Sequence, residues 1–252
     1  MRVISVVGNS GSGKTTFIRA LIPHLTRFGP VGTLKHTGHH CMELPKGKDT
    51  TLMFEAGAQS VTGIDSGKIL VTLRSTSVTE ALDLLAGRET EIAVIEGFKD
   101  SMLPKIVIGD LEIERCILRN PTVDEVIMNM DKFPEYVTLE EMLRKIRKIP
   151  GSPSSTPHYL TYSRELSFSI SNFQVADLEQ TLRKLEESTG SQPGILAVRA
   201  GILNGDLFGS SKELLVAIAA ADGETGALAL TEIVKEFRDL GDRTTEKKES
   251  GI

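Results

Sequence analysis

The chain has no tryptophan, three tyrosines and nine phenylalanines among 252 residues, so its core must be built mainly from Ile, Leu, Val and Ala. A stacking platform for nucleic-acid bases needs exposed aromatic rings in succession, and none is evident. A positive surplus is missing too. Lys and Arg number 29 against 34 Asp and Glu, a formal net charge of -5, which speaks against a nucleic-acid or anionic-membrane surface over the whole molecule. The two cysteines, Cys41 and Cys116, lie far apart and do not form a disulfide framework. No run approaches the ~20 apolar residues of a membrane span, and the N-terminus lacks a charged, apolar and cleavable signal pattern. The expectation is a cytoplasmic protein with no nucleic-acid or membrane partner, long enough for one large or two small domains.

What is present begins at residues 6–16, VVGNSGSGKTT. Gly8, four residues, Gly13, Lys14 and Thr15 have the spacing of a phosphate-cradling P-loop, in which glycines let successive backbone N–H groups turn toward an anion. Val3, Ile4, Val6 and Val7 upstream read as a buried strand. Phe17, Ile18, Leu21, Ile22 and Leu25 downstream recur at helical spacing. The loop therefore joins a strand to a helix N-terminus, whose free N–H groups and positive dipole end favour phosphate. Gly8, Asn9, Ser10, Gly11, Ser12, Gly13, Lys14, Thr15 and Thr16 are the expected nucleotide-binding residues, with Lys14 on the outer phosphates and the Thr15 hydroxyl on magnesium.

Residues 150–157, PGSPSSTP, carry three prolines, a glycine and three serines and read as a linker. Before it, strand-like runs near 2–7, 31–35, 68–73, 91–96, 105–109 and 115–118 alternate with helical patterns near 14–27, 49–57, 77–86, 122–130 and 138–149. This predicts an α/β domain over 1–149 with an open, mainly parallel sheet, although 61–64 and 69–73 read equally as a hairpin insertion. Thr138 and Glu141 suggest a capping box, and Leu139, Met142, Leu143, Ile146 and Ile149 share a helical face. Residues 158–252 predict a small α+β domain with strands at 165–170, 194–203 and 212–220, helices at 174–189 and 224–239, and a mobile polar tail.

Two further clusters belong to the phosphate end. The segment after the second strand carries Lys35, His36, His39, His40, Cys41, Lys48 and Asp49, at the carboxyl edge where open α/β sheets bind ligands. His39, His40 and Cys41 are soft-metal ligand types, yet neighbours in sequence do not readily share one tetrahedral ion. In IAVIEGFKDSMLPKIVI, residues 92–108, an apolar strand ends in Glu96, which would hold magnesium or orient an attacking water. Lys99 and Lys105 add positive charge at that edge, with a solvated loop lysine favoured for Lys105. Asp131 and Lys132 in NMDK do not make the guanine-reading pattern, and RNPTVD at 119–124 is a weak base-contact candidate.

GNSGSGKTT, TLKHTGHH, GKDTTLMFEAGA, VIEGFK and PKI, in this order, resemble the MobB family of molybdopterin-guanine dinucleotide biosynthesis proteins over residues 1–149. The resemblance implies a homodimeric, GTP-binding, weakly hydrolysing P-loop protein. Such a protein assists attachment of a guanine nucleotide to the molybdenum or tungsten cofactor, with molybdopterin or its guanylyltransferase as partner. By matching position it implies the phosphate site at Gly8 to Thr16 and Lys35, His36, Asp49 and Glu96 as site residues; together with the residue reading this makes Glu96 and Asp49 the catalytic candidates, Lys35, His36 and Lys99 binding residues, and Thr15 with Glu96 the magnesium site. Guanine preference comes from the family alone. VRAGILNGDLFGSSKELLVAIAAAD and EKKE are similar to the second half of the molybdopterin synthase large subunit. Where that family has a His-Arg pair the chain has Asp222 and Gly223, and only Lys247 and Glu249 match its late residues, so pterin binding or dimer contact is expected there rather than sulfur insertion. Two other readings stay open: a small-molecule kinase with Asp49 as base, and a GTP-gated metal chaperone using His39, His40 and Cys41.

Overall fold

Along the first half, short β-branched runs alternate with amphipathic helices, and the backbone follows that alternation. The computed structural model describes residues 1–38, 42–148, 157–165, 175–204 and 212–249. In chain order the first half comprises β1 (Arg2–Gly8), α1 (Lys14–Leu25), β2 (Val31–Lys35), α2 (Asp49–Glu55), β3 (Ser60–Ile64), β4 (Ile69–Leu73), α3 (Val78–Ala86), β5 (Ile92–Glu96), β6 (Lys105–Ile108), β7 (Cys116–Arg119), α4 (Val123–Met128) and α5 (Leu139–Arg147). The second half comprises β8 (His158–Glu165), α6 (Val175–Gly190), β9 (Ile195–Asn204), β10 (Lys212–Ala220) and α7 (Gly223–Glu249).

The first sheet has the order β2-β5-β1-β6-β7, and every pairing in it is parallel. Successive side chains of a strand face opposite sides, which separates two cores. Ile4, Val6, Ile92, Val94, Ile106 and Ile108 pack with Ile18, Leu21 and Leu25 of α1 and Val126 of α4. Val3, Ala93 and Ile95 pack on the other face with Leu82 and Ala86 of α3 and with Leu103 and Tyr136. Burial on both faces explains why β1 and β5 read as continuous apolar runs. Their carboxyl ends gather at one edge of the sheet: Val6 pairs with Glu96, and Gly8 with Ile108.

The hairpin reading of 61–73 is the one adopted. β3 and β4 form a separate antiparallel pair, and the Asp65 carboxylate accepts the N–H groups of Gly67 and Lys68 at 2.8 and 2.9 Å. Its apolar residues Ile64, Ile69, Leu70 and Val71 are exposed.

The second sheet is antiparallel, in the order β8-β10-β9. One face is covered by α6 and α7, where Leu182, Leu185, Ile233 and Phe237 meet Val198, Leu214, Val216 and Ile218. The other is covered by α5: Met142 and Ile146, with Leu139 and Leu143 beside them, pack on Ala197, Leu215, Ala217 and Ala219. The helical face of α5 is therefore legible in the sequence, while its destination is the second sheet.

Three sequence expectations change in this region. Thr138 caps α5 by accepting the Glu141 N–H at 3.1 Å, but the Glu141 carboxylate does not complete a capping box. It is instead drawn to two cations, the Met1 amine at 3.0 Å and Lys145 at 2.8 Å, because a buried carboxylate gains more from charge than from one more N–H. The strand begins at His158, and residues 166–170 of the expected strand lie outside the described residues, as do 150–156 of the expected linker. α7 continues through Glu249, so the tail expected to be mobile is helical up to there; it has no proline, and Glu and Lys are good helix formers.

Candidate functional site

The phosphate end is assembled by one turn and two strand exits. Gly8 leaves β1 so close to β6 that a Cβ there would run into the Ile108 carbonyl oxygen and the Ser12 Oγ, which admits only glycine. Gly13, at φ 92°, stands in the left-handed region and starts α1 without any side-chain cap. The first N–H groups of α1 are thereby left for a ligand rather than for a capping side chain. Among the described residues the Ser12 Oγ is buried without a hydrogen-bond partner. The Lys14 ammonium folds back over the loop and donates to the Asn9 carbonyl oxygen at 2.7 Å, while the Ser12 N–H closes a turn on the same carbonyl at 3.2 Å. Ser10, Gly11 and Thr16 are exposed along this loop.

Glu96 is the hub of the site. Its backbone is held on both sides, because the Gly97 N–H donates to Val6 at 3.0 Å and the His36 N–H donates to Glu96 at 2.9 Å. Its carboxylate faces the P-loop: the Thr15 hydroxyl donates to Oε2 at 3.0 Å, and the Lys35 ammonium lies 3.1 Å from Oε1. Lys35 and Glu96 are register partners at the ends of β2 and β5, which explains why residues 61 apart in sequence meet. One position further on, the His36 ring stacks on Phe98 with centroids 4.3 Å apart and planes 12° apart. Lys99 approaches the loop through a long contact to the Asn9 Oδ1 at 3.5 Å.

Asp49 stands apart from this group. It is the exposed first residue of α2, and among the described residues no hydrogen bond or ion pair joins it to the P-loop. His39, His40 and Cys41 lie outside the described residues, and the described residues contain no cluster of three metal-ligating side chains. Lys105 corrects the sequence reading. It is buried, not solvated, and its ammonium donates to the carbonyl oxygens of Ser101 and Leu103. Burial pushes its pKa below the usual lysine value. It ties down the turn from β5 to β6 and adds no charge at the phosphate edge.

Two supports escaped the sequence reading. Phe98, a scarce aromatic directly after Glu96 and Gly97, carried a signal that was available. The other is the pair Gly109 and Asn120: the Asn120 Oδ1 accepts the Gly109 N–H at 2.6 Å, with Asn120 itself at φ 46°, and a Cβ on Gly109 would press on the Ser12 Cβ. The Asn120-Pro121 dipeptide, a turn signal, marks that place.

A parallel sheet with its central strand running through a GxxxxGKT loop into a helix, and an acidic residue opposite the threonine, defines the class of P-loop nucleotide-binding proteins. Residues 3–129 match the family model of molybdopterin guanine dinucleotide synthesis protein B, and the chain belongs to this MobB family. It is 32% identical over 155 residues to the molybdopterin-guanine dinucleotide biosynthesis adapter protein of Haemophilus influenzae, covering 59% of this chain and 83% of that protein. It is 39% identical over 139 residues to the adapter protein of Escherichia coli, covering 48% of this chain and 77% of that one. The crystal structure of Bacillus subtilis MobB is similar at 25% identity and a TM-score of 0.43, over 53% of this chain and 99% of that chain.

Proposed function

We propose that the chain binds GTP with magnesium at the P-loop, hydrolyses it slowly, and acts as an accessory protein in attaching a guanine nucleotide to molybdopterin in the cytoplasm. The carrying observation is the meeting of Thr15, Glu96 and the Lys14 loop at the open N-terminus of α1. Family membership and the adapter role named for the relatives support the pathway.

The residues suit a hard cation, since a threonine hydroxyl and a carboxylate 3.0 Å apart are the oxygen donors such an ion takes. Bound there, magnesium would neutralise charge on the phosphate oxygens. Lys14 and the first N–H groups of α1 hold the phosphates by charge-assisted hydrogen bonds. Glu96 retains the cation site or orients water, directly or through an intervening water. Lys99 and His36 line the neighbouring edge, and Asp49 is carried as the second acidic candidate on the family pattern alone.

The exposed apolar hairpin supports a homodimer, because Ile64, Ile69, Leu70 and Val71 stand in water in the single chain. The second half serves packing, dimer contact or pterin binding, without sulfur insertion. Asp222 caps α7, accepting the Thr225 N–H at 2.8 Å and the Thr225 hydroxyl at 2.7 Å, which is a structural task rather than anion binding.

Titration calorimetry with GTP and with ATP, each with magnesium and with or without molybdopterin, tests the reading. Tighter binding of GTP is expected, and binding of ATP alone would overturn it. Acceptor-dependent turnover would point instead to a kinase.

A further inference from the structure

Lys35 is half-exposed at 57%, whereas Glu96 is mostly covered at 14%. The Glu96 carboxylate spends one oxygen on the Thr15 hydroxyl and the other on the Lys35 ammonium. Thr15 and Glu96 are the oxygen donors suited to a divalent cation, and among the described residues the cation paired with Glu96 is the Lys35 ammonium. We infer that Lys35 is a built-in competitor for the magnesium position: it neutralises Glu96 until a divalent cation arrives and must swing away when one does. The inference rests on the nucleotide-site reading above and goes beyond it by assigning a residue that sets how much magnesium the site needs.

The geometry suits such an exchange. The backbones of Lys35 and Glu96 are locked as register partners, with the His36 N–H on the Glu96 carbonyl oxygen, so the side chain can leave without the strand moving. Two cations on one carboxylate repel over a few ångströms, which makes the two states alternatives. A half-exposed lysine regains water when it leaves, and its ion pair is worth little, so a divalent cation can displace it at modest cost. Without Lys35, the Glu96 carboxylate loses the ammonium paired with it and takes a divalent cation more readily.

The test uses the full-length protein and Mn2+ as the probe, its binding followed by electron paramagnetic resonance with and without a non-hydrolysable GTP analogue. Lys35→Met is expected to bind Mn2+ about fivefold more tightly than the unaltered protein, the gain expected from removing a weak competing ion pair. Lys35→Arg, which keeps the charge, is expected to stay close to the unaltered protein. Unchanged or weaker Mn2+ binding in Lys35→Met, or an equal gain in Lys35→Arg, would overturn the inference. Binding of a fluorescent GTP analogue in the presence of magnesium separates the two levels. Its complete absence from the unaltered protein sinks the nucleotide reading itself, whereas binding with no Lys35 effect on Mn2+ sinks only this inference.

Discussion

The Lys14 ammonium, 2.7 Å from the Asn9 carbonyl oxygen, spans its own loop and contributes nothing to either core. Lys14→Ala is therefore expected to keep the fold and lose measurable triphosphate binding. Each charge-assisted contact is worth about 1.5–3 kcal/mol, or roughly ten- to a hundredfold in affinity. Titration calorimetry beside a thermal melt checks this, and an unchanged isotherm would remove the assignment of the site. Glu96→Gln keeps the side chain's size and can still accept from Thr15, but it loses the charge that organises cation and water. Its turnover is expected to fall more than its GTP affinity, in single-turnover hydrolysis measured against equilibrium binding. Equal losses would make Glu96 a structural residue.

At the scale of elements, α5 is the joint of the molecule. Its apolar face covers the second sheet, while Glu141 reaches the Met1 amine at the start of β1 and Lys148 pairs with Glu89 at 3.0 Å. Burial alone would raise the Glu141 pKa, but Lys145 and the Met1 amine outweigh it and hold the carboxylate below its usual value of 4.5. A folded pKa lower than the unfolded one means stability that is present above the unfolded value and is lost as pH falls through the folded value. Glu141→Gln is expected to cost about 3 kcal/mol near neutral pH, since it leaves the Met1 amine buried without its counter-charge. The variant's loss of stability on acidification below about pH 4.5 should be shallower than that of the parent chain. Urea melts of both proteins across pH 3–7 would show it; parallel acid branches would mean that Glu141 titrates unperturbed.

At the scale of the whole molecule, two apolar surfaces are open to test: the hairpin, on which the proposed dimer rests, and the face of α5. The hairpin leaves Ile64 79% and Leu70 56% exposed, and beside it Leu52 and Met53 of α2 are exposed as well. If the proposed dimer uses this face, Leu70→Lys combined with Ile64→Glu is expected to turn it into a monomer in sedimentation experiments, with the nucleotide site intact. A dimer that persists in this double variant would place the contact elsewhere. A chain ended at residue 149 is expected to aggregate, because Met142 and Ile146 of α5 would lose the sheet that buries them. Size-exclusion chromatography of that truncation would show it, and a monodisperse, stable product would mean that α5 finds other cover.

What the sequence by itself determined was whatever depends on local pattern. The short apolar runs and helical repeats of the first half located nearly every strand and helix of the parallel sheet, and the spacing from Gly8 to Thr15 marked the P-loop. Glu96 was legible because a carboxylate ends an apolar strand, and Lys35 because it stands at the exit of another. Only the tertiary structure decided what depends on which segments meet. It paired Lys35 with Glu96 across a strand register, sent the face of α5 to the second sheet, took Glu141 from a capping box to the Met1 amine, and buried Lys105 on two carbonyl oxygens. The physical reason is the same in each case. Local spacing fixes which side of an element a residue occupies, whereas the partner on that side comes from packing between segments far apart in the chain.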